Sequence, residues 1–199
     1  MDCIETKIVA PATAADIVTA YKDFNVSKPL ADRIYTAAKH LNMQSAGQLA
    51  NLICYESGFN PSAYNEATEA VGLIQFSKRA TADFGKTTED FKKMSAEVQM
   101  QYVEKWFELF YKSSVYFNTS NVYMTTFFPY CRYKGPSCNI YEWYLKHDGP
   151  RAAERFYHEN GGIKTTADYM YRSARYCGRL STGFECPAPK LLLPPPEEP

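Results

Sequence analysis

A carboxylate lying in line with an apolar helix face constrains this chain more than any other feature. Leu49, Leu52, Ile53 and Glu56 fall at i, i+3, i+4 and i+7, one stripe of a 3.6-residue period. Ser45, with Gln48 three residues on, forms a capping-box pattern that opens this helix, and Gly58 and Pro61 close it. Glu56 therefore stands near the helix's C-terminal end, which carries partial negative charge. Desolvation and that charge both disfavour an ionised carboxylate, so the pattern predicts a raised pKa and a proton held near neutral pH. A general acid needs such a proton. An acid on an apolar stripe can also simply snorkel at the edge of the core or pair with a buried cation.

A chain of 199 residues suits one domain with a substantial core. Lys plus Arg equal Asp plus Glu at 22 each, so the charge balance gives no basis for an electrostatic grip on nucleic acid or acidic lipid. No apolar run approaches the length of a membrane span, and Met1-Asp2-Cys3-Ile4-Glu5 lacks the basic and apolar regions of a secretory signal. The chain reads as neither membrane-spanning nor exported by its own sequence. Without an export signal, its six cysteines are expected to be free thiols. Local bridges between Cys131 and Cys138, across a Lys134-Gly135-Pro136 turn, or between Cys177 and Cys186 are the alternatives. No C-x-x-C or H-x-x-x-H spacing occurs, so neither a metal nor any other cofactor is expected. Cys54, with no histidine beside it, reads as a small hydrophobe.

Helices dominate the pattern, and the expected class is mainly α. Residues 1–26 read as an irregular N-terminal arm. Ser27 caps a helix whose stripe is Leu30, Ile34, Ala37, Ala38 and Leu41. A short helix spans 77–84 and stops at Gly85, and Ser95 caps a longer one with Val98, Tyr102, Trp106 and Leu109 on one side. Residues 118–133 favour strand by composition. Further short helices are expected over 141–145 and 151–157, a turn at Asn160-Gly161-Gly162, and a last helix over 166–176. The domain is bounded at 27–180. Residues 181–199, with their Pro194-Pro195-Pro196 run, read as an extended tail.

Glu56-Ser57-Gly58-Phe59-Asn60-Pro61-Ser62-Ala63, followed by Gly72-Leu73-Ile74-Gln75-Phe76, resembles the E-S-x-F-N-P-x-A and G-x-x-G-L-x-Q-F motifs of the lysozyme-like lytic transglycosylase superfamily. Thr81, Phe84-Gly85, Met94-Ser95, Gln99, Tyr102-Val103 and Tyr123-Met124 resemble the version of that domain found in bacteriophage tail and ejection proteins. The similarity covers roughly residues 35–175. It implies a lysozyme-like helical domain, and it argues for a helix near Tyr123 broken at Pro129 in place of a strand.

The resemblance implies a reaction as well. Cutting the bond between the two N-acetylated sugars of peptidoglycan requires protonation of a poor leaving-group oxygen, and Glu56 matches the catalytic acid. In this family the substrate's own oxygen replaces a second carboxylate, giving a 1,6-anhydro-muramoyl end without water, a lyase reaction. Glu66 and Glu69, in the loop between the motifs, are the available acids for an ordinary two-carboxylate mechanism, yet neither matches a family position. Ser57 matches a serine that orients acid or substrate, although a serine there can equally bond a helix carbonyl. Gln75 matches a glutamine that binds sugar or peptide groups. The family's cleft tyrosine usually follows the glutamine motif; Ala63-Tyr64-Asn65 precedes it, so Tyr123 is the expected substrate-binding tyrosine. Gly72 either lets the backbone approach substrate or serves the turn. The implied protein is a virion-associated transglycosylase that acts on glycan strands during genome entry, with other virion proteins as partners through the arm and tail. A goose-type lysozyme-like hydrolase and an inactive structural virion protein are the alternative readings.

Overall fold

The computed structural model describes residues 4–5, 12–110, 119–135, 137–177 and 184–185. Within them the chain is mainly α, as expected of a lysozyme-like domain. The helices are α1 (Ala14–Ala20), α2 (Lys28–His40), α3 (Ala46–Ser57), α4 (Lys78–Asp83), α5 (Thr88–Lys92), α6 (Ala96–Glu108), α7 (Thr119–Phe127), α8 (Ile140–His147), α9 (Pro150–Glu159) and α10 (Thr166–Cys177). Four two-residue strands make two antiparallel pairs: β1 (Ile4–Glu5) with β4 (Phe184–Glu185), and β2 (Tyr64–Asn65) with β3 (Ala70–Val71). None of the described helices is long and apolar enough to cross a membrane.

Helix starts follow the expected chemistry. Ser27, Ser45, Ser77 and Ser95 are extended in backbone and accept a hydrogen bond from an N–H in the first turn of α2, α3, α4 and α6 respectively. At α3, Ser45 Oγ accepts from Gly47 N–H at 3.1 Å and the Gln48 side chain accepts from Ser45 N–H at 3.4 Å. Gly58, with φ +58°, closes the helix by donating to the Cys54 carbonyl.

The sequence gives α3 one apolar stripe, whereas the fold surrounds it. Every residue from Ala46 to Cys54 is buried, because α1, α2, α7 and α10 all pack on this helix. Only its last turn, Tyr55 to Ser57, emerges half-buried. Glu56 is the carboxylate on the exit turn of the central helix.

Three expectations are corrected. Residues 12–26 are not an arm. They form α1, opened by a Thr13–Asp16 capping box, and a 3-10 turn (Lys22–Phe24), and they bury Ile17 and Tyr21 completely. The segment is too short for a clear helical period, so its place in the core was not visible from its own pattern. In α6 the inward face is Gln99, Met100, Val103 and Phe107, while Val98 and Leu109 are 41% and 65% exposed. An apolar count cannot recognise a glutamine that points inward to satisfy backbone groups, and the register it gives is displaced accordingly.

The third correction concerns sulfur. Cys131 and Cys138 are bridged, with Cα atoms 5.7 Å apart, Cys54 is also disulfide-bonded, and no described cysteine is free. The Cys131–Cys138 bridge spans the turn between the 3-10 helix at Pro129–Cys131 and α8. Residues 119–127 are helical and break before Pro129. The segment after 185, including the proline run, lies outside the described residues.

Candidate active site

Glu56 borders an open cleft of about 520 Å³ lined by Phe24, Cys54, Tyr55, Ser57, Gly58, Ala63, Tyr64, Asn65 and Gln75. Of the described residues that line it, Glu56 alone carries a carboxylate. Burial pushes its pKa up to about 7, and a hydrogen bond donated by the Tyr169 hydroxyl to Oε1 works in the opposite direction. The acid is therefore poised. It holds a proton near neutrality because its charge is poorly solvated, yet the charge it leaves behind has a ready donor.

Tyr169 comes from α10, 113 residues along the chain from Glu56. Its ring stacks on Phe127 at 4.0 Å and meets Tyr55 and Tyr123 edge-on at 5.4 and 5.9 Å. Burial and the neighbouring Glu56 charge hold the Tyr169 hydroxyl well above the ordinary tyrosine range. It acts as a fixed donor and keeps its proton.

The floor beside the acid is a tight hairpin. Val71 and Phe76 exchange backbone hydrogen bonds of 3.0 and 2.8 Å around Gly72-Leu73-Ile74-Gln75. Ser57 Oγ lies 3.0 Å from both the Ile53 and the Leu73 carbonyls. With one proton it donates to one of them at a time, which ties the end of α3 to the hairpin. Gln75 takes a left-handed backbone (φ +54°), and its Nε2 donates to the Gly72 carbonyl at 3.1 Å. Half-buried, its amide borders the cleft.

Gln99 on α6 holds the loops together. Its Oε1 accepts from Leu73 N–H at 2.9 Å, and its Nε2 donates to the carbonyls of Pro61 and Phe91 at 2.6 and 2.8 Å. A Cβ on Gly72 would lie 2.4 Å from Gln99 Oε1, and Gly72 has φ +80°. Glycine at 72 is thus required by the packed amide and the turn. Asn60 accepts from Ser62 N–H at 2.9 Å, forming the turn after the helix.

Residues 34–99 match the family model of the Transglycosylase SLT domain. No curated protein and no solved structure matches the chain. The SLT match runs from α2 to Gln99 in α6. It contains Glu56, Ser57, the hairpin and Gln75, and it supports the resemblance to the lysozyme-like lytic transglycosylases.

Outside the SLT match lie two residues that sequence reasoning missed: Phe24, which lines the cleft, and the buried Tyr169, which bonds the acid. Tyr123, the expected cleft tyrosine, is 2% exposed, hydrogen-bonded to Ser173 and packed edge-on against the Tyr169 ring. Tyr123 is not among the residues that line the cleft, and the hydroxyl on the acid is supplied by Tyr169. Within the match, Glu66 and Glu69 sit in the exposed turn of the β2–β3 hairpin, where Glu69 pairs with Lys78 at 3.1 Å, and neither lines the cleft. Tyr64 lines it from β2, with the Lys92 ammonium 3.6 Å above its ring.

Away from the cleft, His40, Glu104 and Glu108 bring potential metal-ligand atoms within 4.8 Å of one another. Histidine spacing alone does not reveal this group, because its members lie on two helices. His40 hydrogen-bonds Glu104, and Arg33 lies 3.8 Å from the same carboxylate, so the group is an exposed ion-pair network joining α2 to α6.

Proposed function

We propose that this protein is a peptidoglycan lytic transglycosylase that cleaves the bond between muramoyl and glucosaminyl residues and leaves 1,6-anhydro-muramoyl ends. The observation that carries the reading is Glu56: a half-buried acid with its pKa at about 7, in a cleft whose described lining offers no second carboxylate. The SLT match over residues 34–99 points the same way.

The chemistry follows from that arrangement. Protonated Glu56 gives its proton to the glycosidic oxygen as the C1–O bond breaks and C1 takes on oxocarbenium character. The carboxylate so formed is stabilised by the Tyr169 hydroxyl. It then removes the proton from the muramoyl 6-hydroxyl, whose oxygen bonds to C1. Glu56 ends protonated, no water is consumed, and one acid serves both steps.

We also propose that the protein works as a bacteriophage virion component that opens the wall during genome entry. Support comes from the resemblance of the residues between Thr81 and Met124 to phage-type domains. The bridged cysteines add to it, since disulfides persist outside reducing compartments. Other virion proteins would then be its partners, with the C-terminal tail as the docking segment. Digestion of purified murein with mass analysis of the products tests the activity: anhydro ends are expected, reducing ends would assign a hydrolase, and no cleavage by folded protein would favour a structural role. Detection of the chain in purified particles tests the virion assignment.

A further inference from the structure

We propose that Phe24, from the segment that precedes the SLT match, is a sugar-stacking wall of the cleft and sets how tightly an N-acetylated glycan binds beside Glu56. The inference rests on the reading of the cleft as a glycan site.

The placement of Phe24 is built in several steps. The Thr13–Asp16 box starts α1, Tyr21 ends it and hydrogen-bonds Asn51 of α3, and a 3-10 turn (Lys22–Phe24) closed by Asn25 in the left-handed region (φ +52°) follows. This carries the Phe24 ring onto the exit turn of α3. A Cβ on Gly58, two residues beyond the acid, would meet the ring at 3.4 Å, and the Phe59 and Tyr21 rings lie 5.9 and 6.3 Å away. Phe59 itself adopts φ +63°, an unfavourable conformation for a large side chain, and is held there in contact with Tyr21 at 4.9 Å. Phe24 is nevertheless only half-buried, and it lines the same cleft as Glu56 and Gln75.

An apolar ring so anchored has a clear use in a carbohydrate cleft. The C–H groups on one face of a pyranose make an apolar surface that packs on an aromatic face, and an N-acetyl methyl extends it. A ring fixed on its inner side loses little freedom when a sugar covers the rest. Because the wall comes from α1 and the turn after it, the segment that reads as an arm becomes part of the substrate site.

Calorimetric binding of the N-acetylglucosamine tetramer to Glu56→Gln protein tests this, with Phe24→Leu and Phe24→Trp added in turn. Leucine keeps much of the packing on Gly58 but removes the aromatic face, and is expected to weaken binding about five- to tenfold, the scale of one aromatic contact. Tryptophan is expected to preserve binding, with a sugar-dependent change in fluorescence beyond that of the parent protein. Equal binding by the leucine variant, or no detectable binding by the parent, overturns the proposal. If Phe24→Leu does not fold, an unchanged Phe24→Trp emission at saturating sugar overturns it as well. Binding is read without cleavage, so a protein that binds the tetramer through Phe24 yet leaves murein intact would refute the transglycosylase reading and not this one.

Discussion

At the scale of the residue, the decisive quantity is the free energy of ionising Glu56. Its pKa rises from an ordinary 4.5 to about 7 in the fold, so below the ordinary value both states carry the proton and nothing is lost. As pH rises through this window the unfolded chain ionises first, and above about 7 the folded state bears a cost of about 3 kcal/mol. Glu56→Gln is therefore expected to stabilise the protein relative to wild type at pH 8 and hardly at pH 4, as read by thermal melts across that range. The same substitution should lower the rate of murein cleavage at least about a hundredfold. Wild-type activity should fall as pH climbs through about 7, because the acid must start protonated. Tyr169→Phe removes the hydrogen bond that lowers this pKa, so the alkaline limb of the pH–rate profile should move upward while the maximal rate drops about tenfold or more, the scale of a hydrogen bond to a charged group. A profile unchanged in position would show that the tyrosine does not act on the acid.

At the scale of the element, the two motifs are mostly instructions for turns. Asn60 shapes the exit from α3, Pro61 offers a carbonyl to Gln99, Gly72 makes room for that amide, and Ser57 fastens helix to hairpin. Glu56, Ser57 and Gln75, the motif residues to which the resemblance assigns site roles, all line the cleft. Gln99→Leu would leave the Leu73 N–H and the Pro61 and Phe91 carbonyls without this buried partner, at a cost of about 3 kcal/mol measurable by urea unfolding. Activity should fall with it, because the hairpin bearing Gln75 loses its tie to α6. Periodicity and capping made α2, α3 and α4 legible from the sequence, since Ser27, Ser45 and Ser77 act within one turn of themselves. In α6 the same method misplaced the inward face, because the residue that matters there is a glutamine whose three partners lie on other segments.

At the scale of the whole molecule, disulfides brace the frame. Cys131–Cys138 closes a loop with a sequence separation of 7, worth about 2 kcal/mol in the chain-entropy view. Cys54, itself bridged, sits two residues before the acid. Reduction is thus expected to lower the melting temperature and to depress murein cleavage together. Retention of full activity in excess reductant would separate the bridges from the site. The expectation of free thiols fails on geometry: the turn after the 3-10 helix brings Cys131 and Cys138 to a Cα separation of 5.7 Å, within bridging reach.

Local pattern in the sequence marked where α2, α3 and α4 begin and end, which turns are tight, and which carboxylate stands on the helix exit. Those properties are set by dihedral preferences and hydrogen bonds within a few residues, and they are written locally. Tertiary structure alone decided that Tyr169 and not Tyr123 meets the acid, that Phe24 walls the cleft, and that Gln99 points inward. It also decided how much water Glu56 loses. Each of these depends on side chains brought together from distant parts of the chain, and desolvation is a property of everything packed around a group, which no local pattern contains.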